Sequence, residues 1–315
     1  MAQKGTIVVA LGGNAILQPG QKGTDKEQIK NVYKTCVQIA AMIKEGYKVV
    51  ITHGNGPQVG NILIQNGAGA DKVPAMPLDI CGAMSQGQVG YMMQQQLKNI
   101  LQDMGIKIPV LTVVTQMIVD KNDPAFQKPT KPVGPFYSGE YAENAMKEKG
   151  EHWIEDAGRG WRKVVPSPNP IRIVEIDAIL DLINRGCIVI ANGGGGIPVV
   201  EENDKYIGIE AVIDKDFGGE RLAFNIKADT FMILTDVPKV YLNYNRPNQS
   251  ELGGVTVEEI ETYQKEGHFK AGSMGPKVEA CRRFVVNGGK TAIITSLDTA
   301  LEALRGNAGT RIYQV

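Results

Sequence analysis

Sulfur chemistry is scarce in this chain. Its four cysteines, at positions 36, 81, 187 and 281, stand among apolar residues with no CxxC pair, so neither a disulfide framework nor a thiolate metal site is indicated. A surplus of either charge is also missing: Lys plus Arg and Asp plus Glu each total 34. Without a basic excess, neither nucleic acid nor an anionic membrane is expected as a partner. The three histidines, His53, His152 and His268, have no metal-ligand spacing and form no Ser/His/Asp pattern, which argues against a structural zinc site or a hydrolase triad. No apolar run is long enough to cross a bilayer, and the opening MAQKG passes directly into an apolar strand. A cytoplasmic protein without a signal peptide is therefore expected.

What the chain has is glycine, 37 residues of it, set into alternating strands and helices. Short apolar runs at residues 7–11, 48–52, 109–115, 187–191, 231–235 and 291–295 read as buried parallel strands. Between them lie helical patterns, among them one opened by the capping box Thr24–Glu27, one over about 84–104, one over 216–228, one opened by a second capping box at Thr256–Glu259, and one over 277–286. A terminal edge strand is expected at 311–315. Residues 120–170 break the texture, with clustered prolines and both tryptophans, Trp153 and Trp161, and read as an inserted lid with its own packing. The expected fold is α/β, a mainly parallel sheet with helices on both faces and a small inserted, protruding subdomain. Length suggests two lobes, placed at 1–191 (with the lid inside) and 192–315.

Three glycine clusters follow strands: Gly12-Gly13-Asn14, Gly54-Asn55-Gly56 and Gly193 to Gly196. Any one of them is explained by a tight turn. Three on one rim of a parallel sheet point to a phosphate cradle, because glycine lets backbone N–H groups approach an anion and a following helix N-terminus adds its dipole. Neither standard nucleotide loop is present. The run at 53–60 reads GxGxxxG where a dinucleotide fingerprint needs GxGxxG, and Gly289-Lys290-Thr291 precedes a strand where a Walker A tail would open a helix.

Three lysines sit in constrained settings. Lys131 is bracketed by Pro129 and Pro132, Lys215 stands between Asp214 and Asp216 ahead of a helix, and Lys277 ends the turn GSMGPK. Each is compatible with a solvated surface lysine, and spacing alone does not decide. Together they suit phosphoryl transfer, which asks a protein for positive charge and in-line placement more than for covalent chemistry. Asp216 could be only a helix cap, or could hold two lysines in place.

These motifs resemble those of the carbamate kinases, within the amino acid kinase superfamily, over essentially the whole chain. The likeness rests on ALGGNA at 10–15, HGNGPQVG at 53–60, PTKP at 129–132, EDAGRGWR at 155–162, GGGG at 193–196, AVIDKD at 211–216 and GSMGPK at 272–277. The resemblance implies a three-layer αβα sandwich, a homodimer, and the reversible reaction ATP plus carbamate to ADP plus carbamoyl phosphate with Mg2+. It implies a physiological direction toward ATP in the breakdown of arginine or related compounds. It places Gly12, Gly13, Asn14, Gly54, Asn55 and Gly56 around carbamate and the migrating phosphoryl group. It gives Lys131, Lys215 and Lys277 the task of neutralising charge, with Asp216 organising them. Gly195, Asp214, Thr235, Asp236, Tyr244 and Met274 fall to the nucleotide. One departure stands out: the superfamily's lysine beside the first glycine loop is absent, since Ala10 and Leu11 precede Gly12, and Lys131 from the lid would replace it. No direct metal ligand is identified.

Overall fold

The computed structural model describes residues 4–155 and 158–315. Eight strands form the central sheet: β1 (Thr6–Leu11), β2 (Lys48–His53), β3 (Val110–Thr112), β4 (Ile188–Ile190), β5 (Thr230–Thr235), β6 (Gly254–Thr256), β7 (Thr291–Ser296) and β8 (Thr310–Tyr313). Their spatial order is β6-β8-β7-β5-β1-β2-β4-β3. All neighbouring pairs are parallel except β7 with β8. The helices are α1 (Asp25–Lys44), α2 (Gly56–Ala68), α3 (Leu78–Asp103), α4 (Gly139–Lys149), α5 (Ile176–Asn184), α6 (Lys215–Asn225), α7 (Val257–Lys265), α8 (Met274–Val286) and α9 (Ala300–Leu304).

Strand alternation makes the three layers. Ile7, Val9 and Leu11 point to one face of β1, where they join Cys36 and Ile39 of α1 and Val89, Met93 and Leu97 of α3. Val8 and Ala10 point to the other and meet Ile179 of α5, Leu222 of α6 and Val278 and Phe284 of α8. Because both faces of β1 are covered, the strand reads as one continuous apolar run. Both capping boxes form, at Thr24 with Glu27 and at Thr256 with Glu259.

Four expectations need correction. The terminal strand β8 is not an edge, because β6 pairs with its outer side. Helix α3 begins at Leu78, well before residue 84; Gly82, Gly87 and Gly90 weaken its pattern, while buried Leu78, Cys81 and Ser85 anchor its first turns. The run at 109–115 is not one strand. It supplies β3, and the chain then enters a second, four-stranded sheet of Lys205–Gly208, Ile197–Glu202, Gln116–Val119 and Pro170–Ile173. Helix α8 starts at Met274, three residues before the expected start at 277, so Lys277 lies inside its first turn.

Within the proline-rich insertion, strands Lys131–Tyr137, Trp161–Val165 and His152–Glu155 form an antiparallel sheet against α4. Trp153 packs on Ala142 and Ala145 of α4 and meets Tyr137 edge-on at 5.2 Å between ring centroids. The lid therefore has its own small core, as its aromatic content suggested. Val133 and Val165 seat this sheet on Val59 and Ile62 of α2 and Leu78 and Cys81 of α3.

Candidate active site

The glycine loops meet at the carboxyl ends of the central strands. Gly12 N donates to Leu234 O at 3.1 Å, and Gly54 N donates to Leu11 O at 3.0 Å, so the loop after β1 is tied to its neighbours on both sides. Only the second cluster opens an α-helix. After Gly12 comes a single 3-10 turn over Gly13–Ala15, and after Gly193–Gly195 the chain enters a strand at Ile197. The expectation of a helix dipole behind every cluster is therefore corrected: α2 alone supplies one directly.

The third cluster is closely packed. Gly194, with φ of 69°, lies where any Cβ would collide with Asn55. Gly195, with φ of 98°, is buried against Ile213, and a Cβ there would stand 2.8 Å from that residue's own Cβ. The turn thus buttresses Asn55 from one side and the approach to α6 from another. Asn55 in turn donates to Ser85 Oγ at 2.7 Å.

Helices α6 and α8 bring the charges. Asp214 is the N-cap of α6 and accepts from Asp216 N at 3.0 Å. Asp216, 3% exposed, accepts from Lys215 Nζ at 2.7 Å on one oxygen and from Lys277 Nζ at 3.0 Å on the other. Burial opposes both charges in the Lys215–Asp216 pair. The paired groups outweigh it, raising the Lys215 pKa and lowering that of Asp216. Gly54 makes room for this arrangement, since a Cβ there would fall 2.8 Å from Lys215 Cδ. From the lid, Lys131 Nζ reaches Asp214 Oδ2 at 2.7 Å. Three ammonium groups against two carboxylates leave net positive charge beside the N-termini of α6 and α8.

The structure thus unites Lys131, Asp214, Lys215, Asp216, Lys277 and Gly54, with Gly13 N within 3.6 Å of the Gly54 Cβ position. Gly56 is the first residue of α2, immediately after Asn55. Gly12, Asn14, Thr235 and Asp236 line a cleft of about 820 Å³ that extends to Thr35 of α1 and to Ser296. Met274 begins α8, one turn before Lys277. Tyr244 lies beyond the strand Val240–Leu242, half exposed, with its ring 5.9 Å from that of Tyr241.

Several supporting residues escaped the sequence reading. His53 is fully buried beneath Gly193, its Nδ1 3.0 Å from Gly54 O; burial holds its pKa down to about 4. Gln86 of α3 spans Thr115 and Gly193 with three hydrogen bonds. The signal for Gln86 was a polar SQGQ run on a helix whose neighbours are apolar, which spacing alone did not make functional. The motif at 155–162 also gains a physical role, although its Asp156 and Ala157 lie outside the described residues. The Arg159 and Arg162 guanidinium groups lie 5.1 and 5.3 Å from the Phe136 ring centre, and Arg162 donates to Gly134 O at 3.1 Å. They brace the bulge between Val133 and Tyr137, six residues or fewer from Lys131.

Comparison with known proteins agrees with this geometry. The profile of the amino acid kinase family matches residues 5–296. A carbamate kinase of Thermococcus kodakarensis is 60% identical over 311 residues, covering 98% of this chain and 99% of that protein. One from Trichomonas vaginalis is 54% identical over 97% of this chain and 98% of its own length. Among solved structures, carbamate kinase from Giardia lamblia bound to AMP-PNP superposes with a TM-score of 0.96 at 49% identity, covering 100% of both chains. An N-acetylglutamate synthase from Neisseria gonorrhoeae, at 12% identity and a TM-score of 0.58, covers 99% of this chain and 62% of its own and shares the fold alone. The chain belongs to the amino acid kinase family and, within it, to the carbamate kinases.

Proposed function

We propose that this protein transfers a phosphoryl group reversibly between ATP and carbamate, and that it works mainly toward ATP in the catabolism of arginine or related compounds. The observation that carries the reading is the buried Asp216, which fixes Lys215 and Lys277 on two helix N-termini while the lid brings Lys131 to the adjacent Asp214. In the ATP-forming direction, the bond between phosphorus and the carbamate oxygen breaks as a bond to a terminal ADP oxygen forms. Charge spreads over the migrating group's oxygens, and preorganised ammonium groups stabilise it there. Lys215 and Lys277 are held before substrate arrives, so little reorganisation remains. Lys131 arrives with the lid, which makes closure and charge delivery one motion and excludes water from a carbamate that decomposes in it.

The glycine loops at 12–14 and 54–56 would surround the acceptor and the migrating phosphoryl group. The segment from 192 onward would hold the nucleotide, with Asp214, Thr235, Asp236, Tyr244, Met274 and Gly195 on its side, and residues 1–191 would form the acceptor side. Mg2+ would supply further charge neutralisation on the phosphates. Asp214 and Asp216 are already engaged by lysines, and no group of three or more His, Cys, Asp or Glu gathers among the described residues. The donor set therefore suits an ion that enters with the nucleotide, held largely by phosphate oxygens and water. A homodimer in the cytoplasm completes the proposal; no helix among the described residues is long and apolar enough to cross a membrane.

A coupled assay with carbamoyl phosphate, acetylglutamyl phosphate and glutamyl phosphate as donors to ADP tests the acceptor. Rapid ATP formation from carbamoyl phosphate alone is expected. Preference for either of the longer donors would overturn the carbamate assignment.

A further inference from the structure

Besides its apolar seat on α2 and α3, the lid meets the body along one extended segment, residues 210–214, which runs directly into α6. Its residues alternate. Ala211 and Ile213 are buried in the body, the latter against Gly195. Glu210, Val212 and Asp214 face the other way, and each takes a different part of the lid. Lys163 Nζ reaches Glu210 Oε1 at 2.5 Å, Val212 N donates to Pro166 O at 3.0 Å, and Lys131 Nζ reaches Asp214 Oδ2 at 2.7 Å. Lys131 and Lys163 stand on paired lid strands, where Lys131 is opposite Val165 and Val133 is opposite Lys163. Lys163 is also tied within the lid, to Glu151 at 3.0 Å.

We infer that Glu210 and Lys163 are positioning residues for the reaction: their ion pair latches the lid to the body so that Lys131 is held at the phosphoryl site. The inference rests on the function proposed above. Its physical basis is leverage. Lys131 and Lys163 lie two positions apart in the register of one small sheet, so fixing Lys163 limits the excursions of Lys131. The latch is also built to open. Glu210 is 59% exposed at its side chain, and such pairs contribute little and yield easily to water and salt. Val212, between the two ion pairs, supplies a fixed backbone point about which the lid can rock. Neither Glu210 nor Lys163 needs to touch substrate for this role.

The test is a double-mutant cycle with Glu210→Gln and Lys131→Ala, measured as ATP formation from ADP and carbamoyl phosphate. Glu210→Gln should lower kcat/KM for carbamoyl phosphate by about 3- to 5-fold, the range an exposed ion pair allows, and leave the affinity for ADP unchanged. In the Lys131→Ala background the same change should have no further effect, because the residue being positioned is gone. An equal loss in both backgrounds, or no loss in either, overturns the inference. Hydrogen exchange supplies an arm that needs no substrate: Glu210→Gln should speed exchange several-fold at 131–137 and 161–165 and leave the central sheet unchanged. Unaltered lid exchange would equally overturn it. Unmodified protein that makes no ATP from carbamoyl phosphate would refute the proposed reaction instead, and the exchange arm would still decide whether the latch holds the lid.

Discussion

The same charge chemistry is built in two different ways in this molecule. On the body, Lys215 and Lys277 converge on a carboxylate that is 3% exposed, from the first turns of two packed helices. On the lid, Lys131 and Lys163 reach across a seam to carboxylates, Asp214 and Glu210, whose side chains are 14% and 59% exposed. The difference teaches what each part is for. Buried pairs are costly to break and keep a site in place, whereas exposed pairs exchange readily with water. In the proposed reaction the body would hold charge ready and the lid would deliver it.

Removing the buried partner should have the largest effect. Asp216→Ala leaves two part-buried ammonium groups without their carboxylate. Turnover should fall by about a thousandfold or more, with a loss of roughly 3 kcal/mol in unfolding free energy measured by urea denaturation. Loss of activity at unchanged stability would show that the body cluster is as loosely built as the lid. Lys131→Ala should come next. It should lower turnover by about a hundred- to a thousandfold, the scale of one preorganised transition-state donor. ADP affinity by calorimetry should stay unchanged, and stability should change by about 1 kcal/mol or less. A marked fall in stability would mean that the lid lysine is structural.

A third prediction probes the body through protons. His53 is fully buried and its pKa is held at about 4, below the ordinary 6.5, because burial disfavours the charged ring. The unfolded chain therefore binds a proton between those values that the folded chain does not. This contribution to stability is complete above pH 6.5 and is lost as pH falls toward 4, by a total on the order of 3 kcal/mol. Urea midpoints across that range should decline in the parent and decline less in His53→Gln. Identical slopes would remove His53 from the account.

The smallest effect concerns the lid's own fold. Trp153→Ala should loosen the packing on Ala142 and Ala145 and abolish the edge contact with Tyr137. Because Trp153 and Trp161 are the only tryptophans, fluorescence reports this region alone, here through Trp161. Earlier denaturation of Trp161 than of the backbone signal is expected, and coincident transitions would show that lid and body melt as one unit.

How much of this was legible in the sequence follows from where the physics is local. Alternation of short apolar runs with capped helices exposed the sandwich, because every strand buried on both faces reads as an unbroken apolar word. The lid declared itself through prolines and tryptophans. The lysines stood out by their settings, Lys131 and Lys277 in Gly and Pro turns and Lys215 between two aspartates, although spacing alone did not decide their role. The rest was not local. Residues 109–115 read as one strand, yet only 110–112 pair in the central sheet before the chain joins the second sheet at Gln116, a partition set by distant partners such as Ile188 and Pro198. The strand β8 looked terminal in sequence, but pairing with β6, some fifty residues earlier, placed it inside the sheet. The close packing of the glycines at 193–196 on Asn55, Ile213 and Gly218 was equally invisible, because those partners are distant in the chain. Glu210 and Lys163 carried no signal at all, since each reads alone as an ordinary surface charge.

The claim on which the rest depends is that a phosphoryl site is complete only when the lid's lysine is present. ATP formation from ADP and carbamoyl phosphate, followed in purified parent protein and in Lys131→Ala side by side, addresses it most directly. The account predicts rapid ATP formation by the parent and a collapse of the rate by about two orders of magnitude or more in the variant, with ADP still bound. Equal rates in the two proteins would contradict it.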